Sequence, residues 1–490
     1  MQLSKLLLSL NEFQIKNPQN LLLEKLEILH LTDNSRACEE ASLFFCMQGN
    51  NIDSHSFVGE AIENGAVAIV CERELSENVL QIIVPSSRMA ISLLSGYFYG
   101  KPSEKLKIVG ITGTNGKTTT SYFLESIFQA AGKRTGVIGT LGIRYAKKYI
   151  EAQLTTPDPI FLQKTLADMV ACGIEYVFME VSAHALYYDK VAGVRFHTAI
   201  FTNLTQDHLD FFASMEEYKR AKFKLFFSKN QQINVINVDD ACAKELLEAL
   251  NDSKSEKRFY GLTKPTDAFA VIIDEGLFGT EFILTINNRL CRVKLKMIGR
   301  HNILNALAAA VCAEGMGLTM EEISRGLNSV ERVNGRLERV ACYHGGTVFV
   351  DFAHTPDGLE KSLQALKKYC LGKLICVFGC GGDRDRLKRP LMGEIAAQNS
   401  DFCVLTSDNP RYEEPLVIIS EIEAGYKKLS NMYAVIPERE VAIEYALDCL
   451  QNGDVLLIAG KGGENYQEKL GIKYAYNDKE FIIKTIGLKG

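Results

Sequence analysis

The residues best suited to chemistry begin at Gly113-Thr-Asn-Gly-Lys-Thr-Thr119. A glycine turn followed at once by lysine and threonine is a phosphate cradle. Backbone N–H groups at a helix start face the anion, Lys117 adds a full charge, and the Thr118 hydroxyl is a Mg²⁺ ligand type. The usual P-loop spacing asks for glycine at position 111 and finds Ile111, so Gly113 and Gly116 supply the turn. An ordinary strand-to-helix turn has no packing reason to carry Gly-Lys-Thr-Thr. Glu180 closes the apolar run Val177-Phe-Met-Glu180, with Ser182-Ala-His184 just beyond it. A carboxylate at the C-terminal end of a parallel strand near such a loop is placed to hold Mg²⁺. His208, in Asp207-His-Leu-Asp210, follows a third strand end and offers a neutral imidazole as a second ligand.

Ser214-Met-Glu-Glu217 reads as a capping box that starts a helix at Met215. Lys219, Arg220, Lys222 and Lys224 lie on that helix, where a basic cluster is ordinarily a solvated face. Lys222 differs, because it stands four residues from both Tyr218 and Phe226 and so shares the apolar side. Burial and like-charge neighbours lower a lysine's pKa and make it modifiable. Asn302 and Asn305 follow Gly299-Arg-His301 and can hydrogen-bond a base, although asparagines near a helix start are commonly caps. Gly335-Arg336 and Asp351 come next, and a carboxylate at a strand end such as Asp351 can accept from ribose hydroxyls.

Three later loops carry the remaining candidates. They are Gly379-Cys-Gly-Gly-Asp-Arg384, Asp408-Asn409-Pro410-Arg411 and Gly460-Lys-Gly-Gly-Glu464. Arginine forks suit carboxylates, and Asp and Glu suit an ammonium, so together these loops fit a zwitterionic amino acid. The first loop lacks the GxGxxG spacing of a dinucleotide site.

The elements that must position these groups are legible from apolar periodicity. Ile108–Ile111 is a buried strand, and Leu124, Ile127 and Phe128 mark the helix after the phosphate loop. From 106 to about 332 strands alternate with helices, as in a mostly parallel sheet, except for 267–297, which reads as an antiparallel insertion. After Asn334-Gly335 the strands Thr347–Val350, Leu374–Phe378, Phe402–Leu405 and Val455–Ile458 form a second doubly wound unit. The expected architecture is α/β in three domains: a small N-terminal α/β domain (1–105), a central P-loop ATPase domain (106–332) and a C-terminal Rossmann-like domain (333–490). A chain of 490 residues is too long for one core.

Composition narrows the function classes. A net charge of -5 argues against nucleic-acid binding and makes any phosphate site local. Thirteen scattered cysteines without a CxxC pair argue against a disulfide framework or zinc ribbon and suit a reducing cytoplasm. The apolar run at Met1–Leu10 is short and interrupted by Glu12, and reads as an amphipathic helix rather than a signal peptide. No stretch is long enough for membrane insertion.

Taken in order, these motifs resemble the Mur ligase family, in its diaminopimelate-adding branch. The resemblance implies an ATP-dependent, Mg²⁺-requiring amide-forming ligase of peptidoglycan precursor synthesis, acting as a cytoplasmic monomer. Its reaction would pass a γ-phosphate to the D-glutamate side chain of UDP-N-acetylmuramoyl-L-alanyl-D-glutamate, and the amine of meso-diaminopimelate would attack the acyl phosphate. It implies that Gly113, Thr114, Asn115, Gly116, Lys117, Thr118, Thr119, Asn302, Arg336 and Asp351 bind ATP. It implies that Thr118, Glu180, His208 and a carbamylated Lys222 serve Mg²⁺, and that Lys117, Glu180, His208 and Lys222 carry catalysis. Ser35, Asn50, Asn51, Ile52, Thr155, Thr156, Ser182, Tyr188 and Lys190 would hold the UDP-linked dipeptide. Arg384, Asp408, Asn409, Pro410, Arg411, Gly460 and Glu464 would hold the diamino acid, with Arg411 clamping a distal carboxylate that lysine lacks. Competing readings are the same reaction with L-lysine or another diamino acid, a different Mur or folylpolyglutamate-type ligase, and a P-loop switch without ligation. The Asp408–Arg411 box disfavours the other ligases, and a switch needs no zwitterion pocket.

Overall fold

The computed structural model describes residues 1–49, 52–228, 231–263 and 266–489. The chain divides into two compact units, one of Met1–Gly110, Arg134–Ala199 and Lys224–Gln232, the other of Ile111–Lys133, Ile200–Phe223 and Ile233–Gly490.

The first unit opens with a five-stranded sheet of β1 (Gln14–Lys16), β2 (His30–Thr32), β3 (Ser42–Phe45), β4 (Ala66–Cys71) and β5 (Leu80–Ile83), in the order β1-β5-β4-β3-β2. Only β1 is antiparallel to its neighbour. The inner strands are buried on both faces, as parallel strands require, and read as the apolar runs Leu43-Phe-Phe45 and Ala68-Ile-Val70. Helix α1 (Ser87–Phe98), capped by Ser86, lays Ala90, Ile91 and Leu94 on that core. The expected amphipathic helix at the start is one short turn, Leu3–Leu6, followed by a 3₁₀ turn, and it buries Leu3, Leu6 and Leu7.

Strand β6 (Lys107–Thr112) leads into helix α2 (Lys117–Ala130). In the first unit β7 (Thr135–Gly139), β8 (Gly142–Tyr145) and β9 (Lys148–Ile150) form an antiparallel run. Helix α3 (Pro159–Ala171) then leads to β10 (Tyr176–Glu180), which pairs parallel with β7. Strand β11 (Thr198–Phe201) follows.

In the second unit α4 (Met215–Phe223) begins where Ser214 predicts, with Ser214 Oγ accepting the Glu217 N–H at 3.2 Å. The return bond differs from the expected box, because Glu217 accepts from the Ala213 N–H at 2.8 Å. Strands β12 (Ile233–Asn237) and β13 (Glu256–Tyr260) are parallel. The expected antiparallel insertion is the meander β14 (Ala268–Gly276), β15 (Gly279–Ile286) and β16 (Arg289–Leu295). Helices α5 (Arg300–Gly315) and α6 (Met320–Ser329) follow.

The last sheet has the order β17-β18-β22-β19-β20-β21. Its strands are β17 (Glu338–Tyr343), β18 (Gly346–Asp351), β19 (Leu374–Phe378), β20 (Phe402–Leu405), β21 (Tyr433–Val435) and β22 (Val455–Ala459). All but β17 run parallel. Between them pass α7 (Pro356–Lys367), α8 (Lys388–Asn399), α9 (Pro415–Tyr426) and α10 (Arg439–Asp448). A hairpin, β23 (Tyr466–Lys469) and β24 (Ile472–Ala475), and helix α11 (Asp478–Lys489) complete the chain. Parallel order places the loops after β22, β19 and β20 side by side at the C-terminal edge, where open α/β sheets bind ligands. Arg439 anchors α11 through a bidentate pair with Asp478 at 2.8 and 2.7 Å, both side chains being buried.

Candidate active site

The second unit holds the phosphate loop. Gly113 and Gly116 have φ of 148° and 88°, and a Cβ on either would lie 1.9 Å from Thr202 Oγ1 or 2.4 Å from Asn305 Oδ1. The close approach therefore requires glycine at both places. Lys117 Nζ donates to the carbonyls of Gly113 and Thr114, both at 2.8 Å. Thr118 Oγ1 accepts from Arg336 Nη2 at 2.9 Å, and Asn115 Nδ2 donates to Asp357 at 2.9 Å. Beside the loop lies a cavity of about 200 Å³ whose lining includes Asn115, Gly116, Thr119, Asn302, Arg336 and Asp351. The Arg336 guanidinium sits 4.4 Å over the Phe352 ring. Asp351 is buried, which pushes its carboxyl up, and it accepts from Ser362 Oγ and the Leu337 and Ala353 N–H groups. Its oxygens thus organise the cavity wall. Asn302 Nδ2 donates to the Ile298 carbonyl at 2.8 Å, a helix-start bond of the bland kind.

Lys222 faces inward as its spacing predicts, with 2% of its surface exposed. Its Nζ donates to the Gly113 carbonyl at 2.9 Å, the same oxygen that Lys117 uses, and stands 4.4 Å over the Tyr218 ring. Burial and then the Lys117 charge hold its pKa well below the ordinary lysine value, against a smaller pull from Asp207. His208 has a left-handed φ of 57°, and its Nε2 lies 3.3 Å from Asp207. Asp207 is buried, yet the Lys388 charge 3.5 Å away, with His208 and His354, keeps its carboxyl below the usual range.

The three late loops converge. Lys461, fully buried, donates to Asn409 Oδ1 and Glu464 Oε2, each at 2.9 Å, and Asn409 Nδ2 donates to the same Glu464 oxygen at 2.9 Å. Asp408 is buried with Oδ2 lacking any hydrogen-bond partner, and a Cβ on Gly460 would stand 2.6 Å from that oxygen. Burial raises Asp408, but Lys461 and Arg439 outweigh it, whereas burial leaves Glu464 raised. Arg411, at φ 51°, donates to the Gly382 carbonyl at 2.8 Å and lies 3.2 Å from Glu468. A Cβ on Gly382 would sit 1.9 Å from the Pro410 carbonyl oxygen, so the first two loops are in contact. Arg384 is exposed and donates to the Asp383 carbonyl.

The first unit holds a separate group. A cavity of about 450 Å³ is lined by Asp33, Ile52, Arg88, Asp158, Tyr188 and Lys190 among others. Lys190 pairs with Asp158 at 2.6 Å. Ser35 is buried and its hydroxyl donates to Glu60. Asn50 and Asn51 lie outside the described residues. Glu180, 1% exposed, accepts from the Thr140 N–H at 3.0 Å and hydroxyl at 3.1 Å, and Thr140 Oγ1 is 3.1 Å from Thr155 Oγ1. Thr156 Oγ1 donates to the Glu180 carbonyl at 2.9 Å and accepts the Ser182 N–H at 3.0 Å. Thr155, Thr156, Ser182 and Glu180 are therefore one hydrogen-bonded group.

Three family profiles match in chain order: "Mur ligase family, catalytic domain" over 27–93, "Mur ligase middle domain" over 111–313, and "Mur ligase, glutamate ligase domain" over 335–462. The UDP-N-acetylmuramoyl-L-alanyl-D-glutamate--2,6-diaminopimelate ligase of Syntrophomonas wolfei is 44% identical over 447 residues, 90% of this chain and 91% of that one. The chain belongs to the Mur ligase family. A protein of that name from Clostridium acetobutylicum is 42% identical over 463 residues, 93% of this chain and 94% of its own. A solved structure with that name superposes with a TM-score of 0.70 at 30% identity, covering 96% and 97% of the two chains. Folylpolyglutamate synthase of Mycobacterium tuberculosis, 18% identical with a TM-score of 0.63 over 77% of this chain and 92% of that one, shares the fold.

In this Mur ligase several site groups escape sequence reasoning. Thr140 and Lys461 hold the two glutamates, and their signal was weak: a threonine after a glycine, and a lysine inside a loop already noted for its glutamate. Asp207 and Lys388 meet across 181 residues of sequence, and no local pattern announces such a pair. No helix among the described residues is long and apolar enough to cross a membrane.

Proposed function

We propose that the protein joins meso-diaminopimelate to the D-glutamate side-chain carboxylate of UDP-N-acetylmuramoyl-L-alanyl-D-glutamate, using ATP. The observation that carries this reading is identity above 40%, over nine-tenths of the chain, to ligases of that name. ATP phosphorylates the substrate carboxylate, ADP leaves, the diamino acid's neutral amine attacks the acyl carbon, and phosphate departs with the amine's proton lost to solvent. Lys117 and the loop N–H groups would offset charge on the transferring phosphoryl group, as preorganised donors do in such reactions. Arg411 would take the distal carboxylate of diaminopimelate, and Asp408 with Glu464 its ammonium.

Mg²⁺ fits the residues present. Among the described residues no three His, Cys, Asp or Glu side chains form a metal cage. Mg²⁺ ordinarily takes one or two carboxylates and completes its shell with water and substrate phosphate. Thr118, His208 and a carbamylated Lys222 of the second unit would hold it, and it would supply charge neutralisation for the phosphates. The reading includes a monomer acting in the cytoplasm, with light scattering as the check on the first.

ADP release tests the proposal. It should require the UDP-linked dipeptide and meso-diaminopimelate together, and Lys117→Ala should slow it at least about 100-fold. Turnover with L-lysine equal to that with meso-diaminopimelate would overturn the specificity, and turnover without any amino acid would overturn ligation.

A further inference from the structure

We infer that Arg88 is the diphosphate-binding residue of the first unit's cavity, a role that rests on the proposed nucleotide-linked substrate. The cavity lining carries four formal charges, Asp33, Arg88, Asp158 and Lys190. Internal pairing removes two of them, because Lys190 lies 2.6 Å from Asp158. Asp33 is exposed, and its carboxyl is raised chiefly by desolvation. Arg88 is the lining charge that stacks on an aromatic ring. Among the described residues no carboxylate pairs with it, and its Nη2 donates only to the Gln48 carbonyl at 2.7 Å. A guanidinium has five N–H donors in a planar fork, so most of its capacity faces the cavity unspent.

The fork is also held in place. Its carbon stands 4.2 Å over the Tyr188 ring, a cation–π contact that fixes the plane while leaving the edge available. The backbone bond to Gln48 pins one corner. Arg88 is the second residue of α1, capped by the Ser86 side chain through the Met89 N–H at 3.2 Å, so a helix start lies behind it. A stacked, pre-oriented guanidinium without a counter-ion is complementary to a dianionic diphosphate, which offers paired oxygens to the fork. The Asp33 carboxyl and the Asp158–Lys190 pair are left for hydroxyl or base N–H groups of the same ligand. The chemical class is therefore a nucleoside diphosphate ester, and Tyr188 acts as a positioning residue behind Arg88.

Binding of UDP and of uridine to the full-length protein, measured by calorimetry, tests this without turnover. Wild type should bind UDP about 10- to 100-fold more tightly than uridine, the usual range for charge-assisted hydrogen bonds. Arg88→Ala should erase that ratio while uridine affinity stays within about threefold, and Arg88→Lys should recover only part of it. In the ligase assay Arg88→Ala should raise KM for the UDP-linked dipeptide by a similar factor, leaving KM for ATP and kcat nearly unchanged. Equal loss of UDP and uridine binding would make Arg88 a packing residue and overturn the inference. So would an unchanged ratio in the variant, or a wild type that does not prefer UDP. Absence of ligation in a wild type that prefers UDP would instead refute the proposed reaction and leave this inference standing.

Discussion

Replacing Lys222 by methionine should strengthen the fold while abolishing the reaction. Lys222 is buried against the Gly113 carbonyl, and burial followed by the Lys117 charge disfavours its ammonium. In the unfolded chain the same lysine titrates near about 10.4. Between its lowered folded pKa and that value, the unfolded state binds more protons than the folded one. Stability therefore rises with pH across this window and is least below it, with a slope approaching about 1.4 kcal/mol per pH unit. Lys222→Met removes the titration and roughly keeps the volume. The variant should melt above wild type near neutral pH, by about 2–4 °C for each kcal/mol in a cooperative unit of domain size. The gap should close toward about pH 10, where unfolded lysine also loses its proton. Calorimetric melting of both proteins in CO₂-free buffer across that range reads the slope directly. A neutral amine adds CO₂ to give a carbamate and a released proton, so bicarbonate should raise the wild-type melting temperature and ligase rate and leave the variant unmoved. A variant that melts below wild type by the same amount at every pH would refute the argument, because the lysine would then be an ordinary stabilising side chain.

Arg411→Ala should raise KM for meso-diaminopimelate about 10- to 100-fold and bring it level with L-lysine, as steady-state kinetics with each amino acid would show. Gly139→Ala places a Cβ 2.1 Å from Glu180 Oε1, so kcat should fall at least about tenfold with secondary structure by circular dichroism retained. Asp478→Asn leaves Arg439 charged and buried without its partner, and should cost about 3–5 kcal/mol of stability in the last domain, read from urea unfolding by tyrosine fluorescence.

Much of the fold was legible because buried parallel strands write themselves as unbroken apolar runs. Leu374–Phe378 and Phe402–Leu405 appear in the structure with the predicted bounds. Edge elements were not, since β17 and the β23–β24 hairpin are largely unburied and mix charged with apolar residues, and β21 is only three residues long. The inward lysine at 222 followed from helical spacing. The partners that hold the site in shape did not, because Thr140 on Glu180, Lys461 on Glu464 and Lys388 on Asp207 are contacts of tertiary structure. Arg384, assigned a ligand from its loop, stands exposed beside its own neighbour's carbonyl, a position that sequence spacing does not reveal.

The cavity beside the phosphate loop draws its walls from Asn115 at one extreme and Ser362 at the other. An emerging polypeptide therefore owns a complete phosphate loop long before it owns the far wall of that cavity. Ribosomes that stall, or proteases that clip the chain before Arg336, leave behind a cradle whose Thr118 lacks its guanidinium partner. Such fragments should be poor consumers of ATP, as ADP release from a chain truncated before Arg336 would show.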